Sequence, residues 1–321
     1  MKRLVTFALA LVCSMGSVLL AQEKSPYVVT LEHEGQLQTF YGPTGFQEAY
    51  NAASDGDVIT LPPLNYENWE TDSEGWRTIR KAITIRGTRN KGGQTSIGGA
   101  STRFELPQTT AGSINVEGVV FSSYLGINTE RINITKCKIT YIVGFGANAS
   151  VINCELSALR IQETAPTILN SVIGELYTDG GLTGSAIFVN CNFNKINSAG
   201  IMPNLTFLNC IVTNSDNTFP STVLAQNCVY YSWNFFEAIP DNDGQLNNKL
   251  LNPDTFFIPN SFWKLTEEAK ATYLGEDGTE VGIYGGQYPW NDTLITPTIT
   301  NLNVSKRVAQ GETLKIDVEA E

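Results

Sequence analysis

Six segments of this chain can be laid over one another: INITKCKI, SVINCEL, PTILNSVI, IFVNCNF, TFLNCIV and LAQNCVY. Cysteine holds the same place in five of them (Cys137, Cys154, Cys191, Cys210, Cys228), and Ser171 holds it in the third. Gly118, in INVEGVVF, is assigned to this ladder one turn earlier, which gives intervals of 19, 17, 17, 20, 19 and 18 residues. A repeat near twenty residues is the mark of a solenoid, in which each unit buries its apolar face only against its neighbours. Three residues before the ladder stand Ile134, Val151, Ile168, Phe188, Phe207 and Ala225, and two after it Ile139, Leu156, Ile173, Phe193, Val212 and Tyr230. That spacing is what inward and outward alternation along short strands requires.

Immediately before the ladder, Asn153, Asn170, Asn190, Asn209 and Asn227 recur, with Lys136 in the same place. Asparagine tolerates bent backbone, so this column marks a corner between two strands, and stacked side chains can bond to one another. A leucine-rich repeat lacks its consensus here, and a propeller blade needs about twice the length. The expected fold is therefore all-β: a single-stranded right-handed parallel β-helix, its crossovers of the usual hand. Six ladder intervals at about 4.8 Å give a stack of roughly 29 Å. The cysteines read as small, inward-facing structural thiols rather than metal or redox groups.

The N-terminus reads as a secretory signal peptide over residues 1–21. Lys2 and Arg3 precede an apolar run from Leu4 to Leu20, and Ala21 offers a small residue for cleavage. The run is short for a membrane span, and no later segment is long and apolar enough for one, so the mature chain is expected to be exported: periplasmic, cell-surface or extracellular. The full chain carries a net charge of −11, and loss of Lys2 and Arg3 makes the remainder more acidic still. An acidic surface without clustered Lys and Arg disfavours nucleic acid and anionic membranes as partners.

Domain organisation follows from where the repeat begins and ends. A capped β-helix domain is expected over 22–292, with regular coils at about 58–231, a C-terminal cap at about 232–292 and a short β-rich tail at 293–321. YVVTLEH and QLQTFY flank a turn at Gly35 and read as a hairpin. Thr44 and Gln47 read as a capping box before a short helix carrying Phe46, Ala49, Tyr50 and Ala53, which would plug the first turn. VITL and KAITIRG read as the first strands of the coil. The aromatic segments after Tyr231 are expected to close the far end, and the tail to pair with something already folded.

FQEAYNAASDGDVITLPPLNYE, KAITIRGT, LLNPDTFFIPNSFWKL and VGIYGGQYPW together resemble the secreted β-helix proteins of the pectin-lyase-like superfamily, over roughly residues 40–292. The resemblance implies the fold. It leaves function open, because lyases, hydrolases, adhesins and members with no known activity share that fold. Lyase members use an Arg or Lys base beside calcium held by acidic residues on one exterior face, and this sequence offers little of that. Lys138 and Glu155, one residue after the ladder on adjacent turns, read as an exposed ion pair. Above them Val172, Asn192, Ile211 and Val229 read as a covered face, placed provisionally under the tail. Asp241 and Asp243 in DNDG lack the remaining ligands of a calcium loop. The hydrolase constellation and a Ser-His-Asp triad both need a histidine on the coil, whereas His33, the single histidine, lies in the hairpin.

Binding residues are easier to nominate. Trp69 and Trp76 lie in NWETDSEGW, a polar loop from which exposed indoles could stack on sugar rings, packing onto the coil being the competing reading. Arg160 and Tyr177 are expected to emerge from loops after successive ladder positions and extend that surface. The expectation is an exported non-catalytic protein that binds a polysaccharide or surface glycan and needs no cofactor. The alternatives are a pectate-type polysaccharide lyase acting by β-elimination with Ca2+, and a structural or adhesive protein contacting other proteins.

Overall fold

The computed structural model describes residues 28–67, 69–90, 93–144, 148–161, 166–178, 185–198, 204–214, 223–231, 247–252, 255–291, 299–304 and 316–320. Within them the chain forms a parallel β-solenoid of about six turns. Each regular turn gives one strand to an 11-stranded sheet, here sheet A, and one to a 13-stranded sheet, here sheet B. Successive turns pair in register, as in Ile134↔Val151↔Ile168↔Phe188↔Phe207↔Ala225 along sheet A. No helix among the described residues is long and apolar enough to cross a membrane.

The corner between the sheets explains the repeat. Lys136, Asn153, Asn170, Asn190, Asn209, Asn227 and Asn247 all have φ between 44° and 54°, the left-handed region that Asn enters most readily among residues with a Cβ. Gly118 has φ 68° and lies in register with Lys136, since Glu117 pairs Thr135. It is therefore a corner residue. The buried Val119 occupies the ladder position of that turn, which corrects the register read from sequence by one residue.

Directly after the corner, the ladder residue's amide finds no backbone acceptor on the next turn and pairs with the next ladder side chain. Cys137 N–H donates to Cys154 Sγ (3.4 Å), Cys154 N–H to Ser171 Oγ (3.0 Å), Cys210 N–H to Cys228 Sγ (3.4 Å) and Cys228 N–H to Asn248 Oδ1 (2.9 Å). In these four turns the position thus takes a small side chain carrying an acceptor, a requirement narrower than smallness alone and one that Val119, a turn earlier, does not meet. The five cysteines are free and fully buried. Burial pushes the thiols of Cys137, Cys210 and Cys228 well above the ordinary range. Between ladder columns the core fills with Ile and Leu, and with a ring cluster in which Phe188 stacks on Phe207 at 5.2 Å while Phe193 meets both edge-on.

At the N-terminal end, strands β1 (Val28–His33) and β2 (Gln36–Tyr41) form the expected hairpin. Then comes helix α1 (Gly45–Ala52), and β1 also pairs antiparallel with the first coil strand, β3 (Val58–Thr60). Phe46, Ala49 and Ala53 join the main core. The capping box does not form: Thr44 is itself helical, and its hydroxyl donates to Glu48 Oε1 at 2.8 Å. His33 Nδ1 lies 2.7 Å from Asp57 Oδ1, tying the hairpin to the turn before β3.

The segment from Gly275 to Trp290 runs along one side of the stack, while 232–246, the aromatic stretch expected to close the far end, lies outside the described residues. Asn170 Nδ2 donates to the carbonyls of Ile283 (3.0 Å) and Gly285 (2.7 Å), and Asn190 Nδ2 to that of Gly282 (3.4 Å). Glu276 N–H donates to Asn209 Oδ1 (3.1 Å). The corner asparagines therefore serve as a rail for this strap, and two pairs of them, Asn209–Asn190 and Asn247–Asn227, also bond to one another. Gly282 (φ +79°) lies so close that a Cβ would fall 2.3 Å from Asn192 Oδ1. Beneath the strap, Val172, Asn192, Ile211 and Val229 are buried. That face is covered as expected, by the strap rather than the tail. The tail strands Ile299–Val304 and Ile316–Ala320 pair with each other in a separate two-stranded sheet, not with the stack.

Two outcomes follow. Ser171→Ala leaves the buried Cys154 amide without an acceptor and is expected to lower stability by about 1–3 kcal/mol, whereas Ser171→Cys, which restores the motif of other turns, costs less. Denaturant unfolding of both variants checks this. The pKa of His33 is raised, first by its hydrogen bond to Asp57 and then by that carboxylate's charge. The stabilisation is thus complete below the ordinary histidine value of 6.5 and lost as pH rises through the higher folded value. Melting temperature measured against pH should fall over that window in the native chain and not in His33→Gln.

Candidate functional site

In the longer strands of sheet B, such as Lys138–Val143 and Glu155–Arg160, the buried and exposed alternation restarts midway, marking a bend, and the second half carries its own outward residues. Past the bend, Ile142, Leu159, Leu176 and Ile196 point inward. Their neighbours form two outward columns. One carries Tyr141, Ala158, Glu175 and Lys195; the other carries Val143, Arg160, Tyr177 and Asn197. Tyr124 pairs with Tyr141 and extends the first column by a turn. Trp76, opening the strand Trp76–Ile79, pairs with Ser101 still earlier. The covered residues Val172 and Asn192 open the same strands that carry Glu175, Tyr177, Lys195 and Asn197, so cover and outward columns are adjacent.

Aromatic contacts run along this face. Tyr124 and Tyr141 meet edge-on at 5.1 Å, and Tyr141 lies 6.2 Å from Tyr177. Those last two rings stand two strands apart, a backbone separation of roughly 9.6 Å. They can lean together because the intervening residue in Tyr141's column is Ala158. Tyr124 is 53 % exposed, so the row presents ring surface to solvent. Trp76 lies over Gly126, where a Cβ would fall 3.3 Å from its ring. The Arg103 guanidinium sits 5.8 Å from the Trp76 ring centroid.

Charged groups frame the rings. Arg103 is paired with Asp72 (2.9 Å) and Glu74 (3.0 Å). Asp72 also accepts the amides of Trp76 (3.0 Å) and Glu74 (2.9 Å) and the Thr78 hydroxyl (2.9 Å). The amide of Trp76, followed by these other donors and Arg103, holds the Asp72 carboxyl below its usual range against the opposing effect of burial. This hub fixes the start of the Trp76 strand. At the other end the Tyr177 hydroxyl donates to Glu175, which also accepts from Asn197 Nδ2 (3.2 Å). That bond to a carboxylate favours the neutral phenol and pushes Tyr177 up to about 12.

Of the residues nominated from sequence, Trp76, Arg160 and Tyr177 share this face. None of the three lies in a loop: Arg160 and Tyr177 are strand residues paired directly across adjacent turns. Trp69 is elsewhere, its ring meeting Phe46 at 4.4 Å and Tyr50 at 5.0 Å, packed against the main core. Tyr124 and Tyr141 were missed. Tyr141 lies four residues past its ladder cysteine, a column that becomes legible only once alternation is restarted beyond the bend. At Tyr124 a register irregularity between Phe121 and Tyr124 shifts the count by one. Lys138 and Glu155 form the expected ion pair at 2.8 Å, joined by Arg89 at 2.9 Å. Arg89 in turn lies 5.6 Å from the ring centroid of Trp290 on the strap. Asp241 and Asp243 lie outside the described residues. Among the described residues no three His, Cys, Asp or Glu side chains are grouped to hold a metal ion.

Comparison with known protein families, curated proteins and solved structures gives no match. Glu175→Gln is expected to move the Tyr177 hydroxyl back toward its ordinary value of 10.0. The difference between the ultraviolet pH titrations of variant and native protein would show one tyrosine ionising earlier.

Proposed function

We propose that this chain is an exported, non-catalytic β-solenoid that holds a polysaccharide or surface glycan along the outward face of sheet B. The observation carrying this reading is the row Trp76, Tyr124, Tyr141 and Tyr177, flanked by Arg103, Arg160 and Glu175. Pyranose rings present C–H faces that stack on aromatic side chains, while their hydroxyls need fixed donors and acceptors at the margin. Five strand spacings separate Trp76 from Tyr177, roughly 24 Å, long enough for several sugar units running along the solenoid axis. Strand-borne residues hold such a row at fixed spacing, so little conformational freedom is lost on binding. The leader-like N-terminus and the acidic composition support export to where such chains occur. The lyase alternative lacks a comparable supporting feature.

Retention on a polysaccharide array is the test. Tyr124→Ala and Tyr141→Ala are each expected to weaken retention about tenfold, ~1.4 kcal/mol, with thermal stability little changed because both rings are outward. Trp69→Ala is expected to lower stability by removing a ring packed on the core, without a specific loss of binding at equal folded concentration. Retention unaffected by Tyr124→Ala, Tyr141→Ala and Tyr177→Ala together refutes the site.

A further inference from the structure

The outward columns of sheet B belong to a stretch of chain that is poor in positive charge. Between residues 139 and 248 the sequence holds two basic residues, Arg160 and Lys195, against eight acidic ones. The segments that follow the outward columns in sequence, 161–166, 179–184 and 199–203, hold neither Lys nor Arg. The cations that do stand on this face are already engaged. Arg103 bridges Asp72 (2.9 Å) and Glu74 (3.0 Å). Lys195 stands in register beside Glu175 of the adjacent turn, and neither Lys195 nor Arg160 is without a partner.

Carboxylates, by contrast, sit at both ends of the aromatic row. Asp72 and Glu74 lie beside the Trp76 strand. At the other end Glu175 accepts from the Tyr177 hydroxyl and from Asn197 Nδ2 (3.2 Å). With its proton committed to Glu175, the Tyr177 oxygen keeps lone pairs for a further donor.

Groups arranged in this way suit uncharged hydroxyls. A sugar hydroxyl both donates and accepts, so it can meet a paired guanidinium, a carboxamide or a carboxylate without bringing a charge of its own. A uronic acid polymer carries a carboxylate on every sugar. Against this face that carboxylate would lose water beside Asp72, Glu74 or Glu175, and the cations near it are already shared. The chain's net charge of −11 opposes its approach as well.

Resting on the glycan-binding reading above, we infer that the ligand is a neutral polysaccharide, a chain of uncharged pyranoses such as a β-glucan or xylan. The carboxylates that frame the aromatic row turn acidic polymers away.

Isothermal titration of the native chain with soluble β-glucan, xylan, polygalacturonate and alginate tests this, at low and high salt and with and without Ca2+. At least one neutral polymer is expected to bind, with an affinity that salt leaves unchanged and that Tyr124→Ala lowers about tenfold. Both acidic polymers are expected to bind at least about tenfold more weakly in every buffer. An acidic polymer that binds as well as the best neutral one, and loses affinity in Tyr124→Ala, overturns the inference while leaving the glycan face standing. Neutral binding that survives Tyr124→Ala, Tyr141→Ala and Tyr177→Ala together, or no binding to any of the four polymers, overturns the face and the inference alike.

Discussion

At four corners of this solenoid the backbone amide that follows the turn is satisfied by a side chain of the next turn. The left-handed residue turns the chain, and the amide that follows points along the stack to a place where the next turn offers Sγ, Oγ or Oδ1 rather than a carbonyl. A buried amide left unpaired costs on the order of 1–3 kcal/mol, and the cost recurs at each of these corners. From Cys137 to Asn248 the ladder accordingly carries Cys, Ser or Asn, with Val119 the exception one turn earlier, and the residue before it is of a type that accepts positive φ. Strand register follows, since sheets A and B both start from this corner. A slip by one residue would turn the apolar set of each strand outward.

That constraint also decides which surfaces remain available. The corner asparagines project their amides to one side, where the strap between Gly275 and Trp290 docks on them; Ile283 and Trp290 pack on Val172, and Leu251, Phe256, Leu265, Ala269 and Val281 on Ile211 and Val229. The close approach of backbone to the stack explains the glycines of GIYGG: a Cβ at Gly286 (φ +74°) would fall 2.6 Å from Asn190 Oδ1 on the rail, and one at Gly282 2.3 Å from Asn192 Oδ1 beside it. Sheet A's strands alternate over the core, and the first half of each later sheet B strand lies under the strap. The second half of sheet B is left with strand-borne aromatic and charged side chains facing outward, and there the glycan reading rests.

The coil was legible in the sequence because its period is short and its ladder residues chemically uniform. Gly118 was read one place off because glycine suits both a small-residue ladder and a left-handed corner, and only strand pairing separates the two. The strap's course was not legible, since Asn170 and Asn190 find their partners about ninety or more residues away. Trp69 and Trp76 looked equivalent in one polar loop, yet α1 places Phe46 and Tyr50 against the first while the second opens a strand over Gly126. Tyr141 was hidden by the bend, past which the simple alternation counted from the ladder fails.

The central claim is that the open half of sheet B is the surface that meets a ligand. Hydrogen–deuterium exchange with and without a retained polysaccharide tests it most directly. The expected result is slower exchange confined to the strands bearing Trp76, Tyr124, Tyr141, Arg160 and Tyr177, with the strap and the N-terminal hairpin unchanged. Protection on the strap or around Lys138 and Glu155 instead, with those strands unaffected, would contradict it.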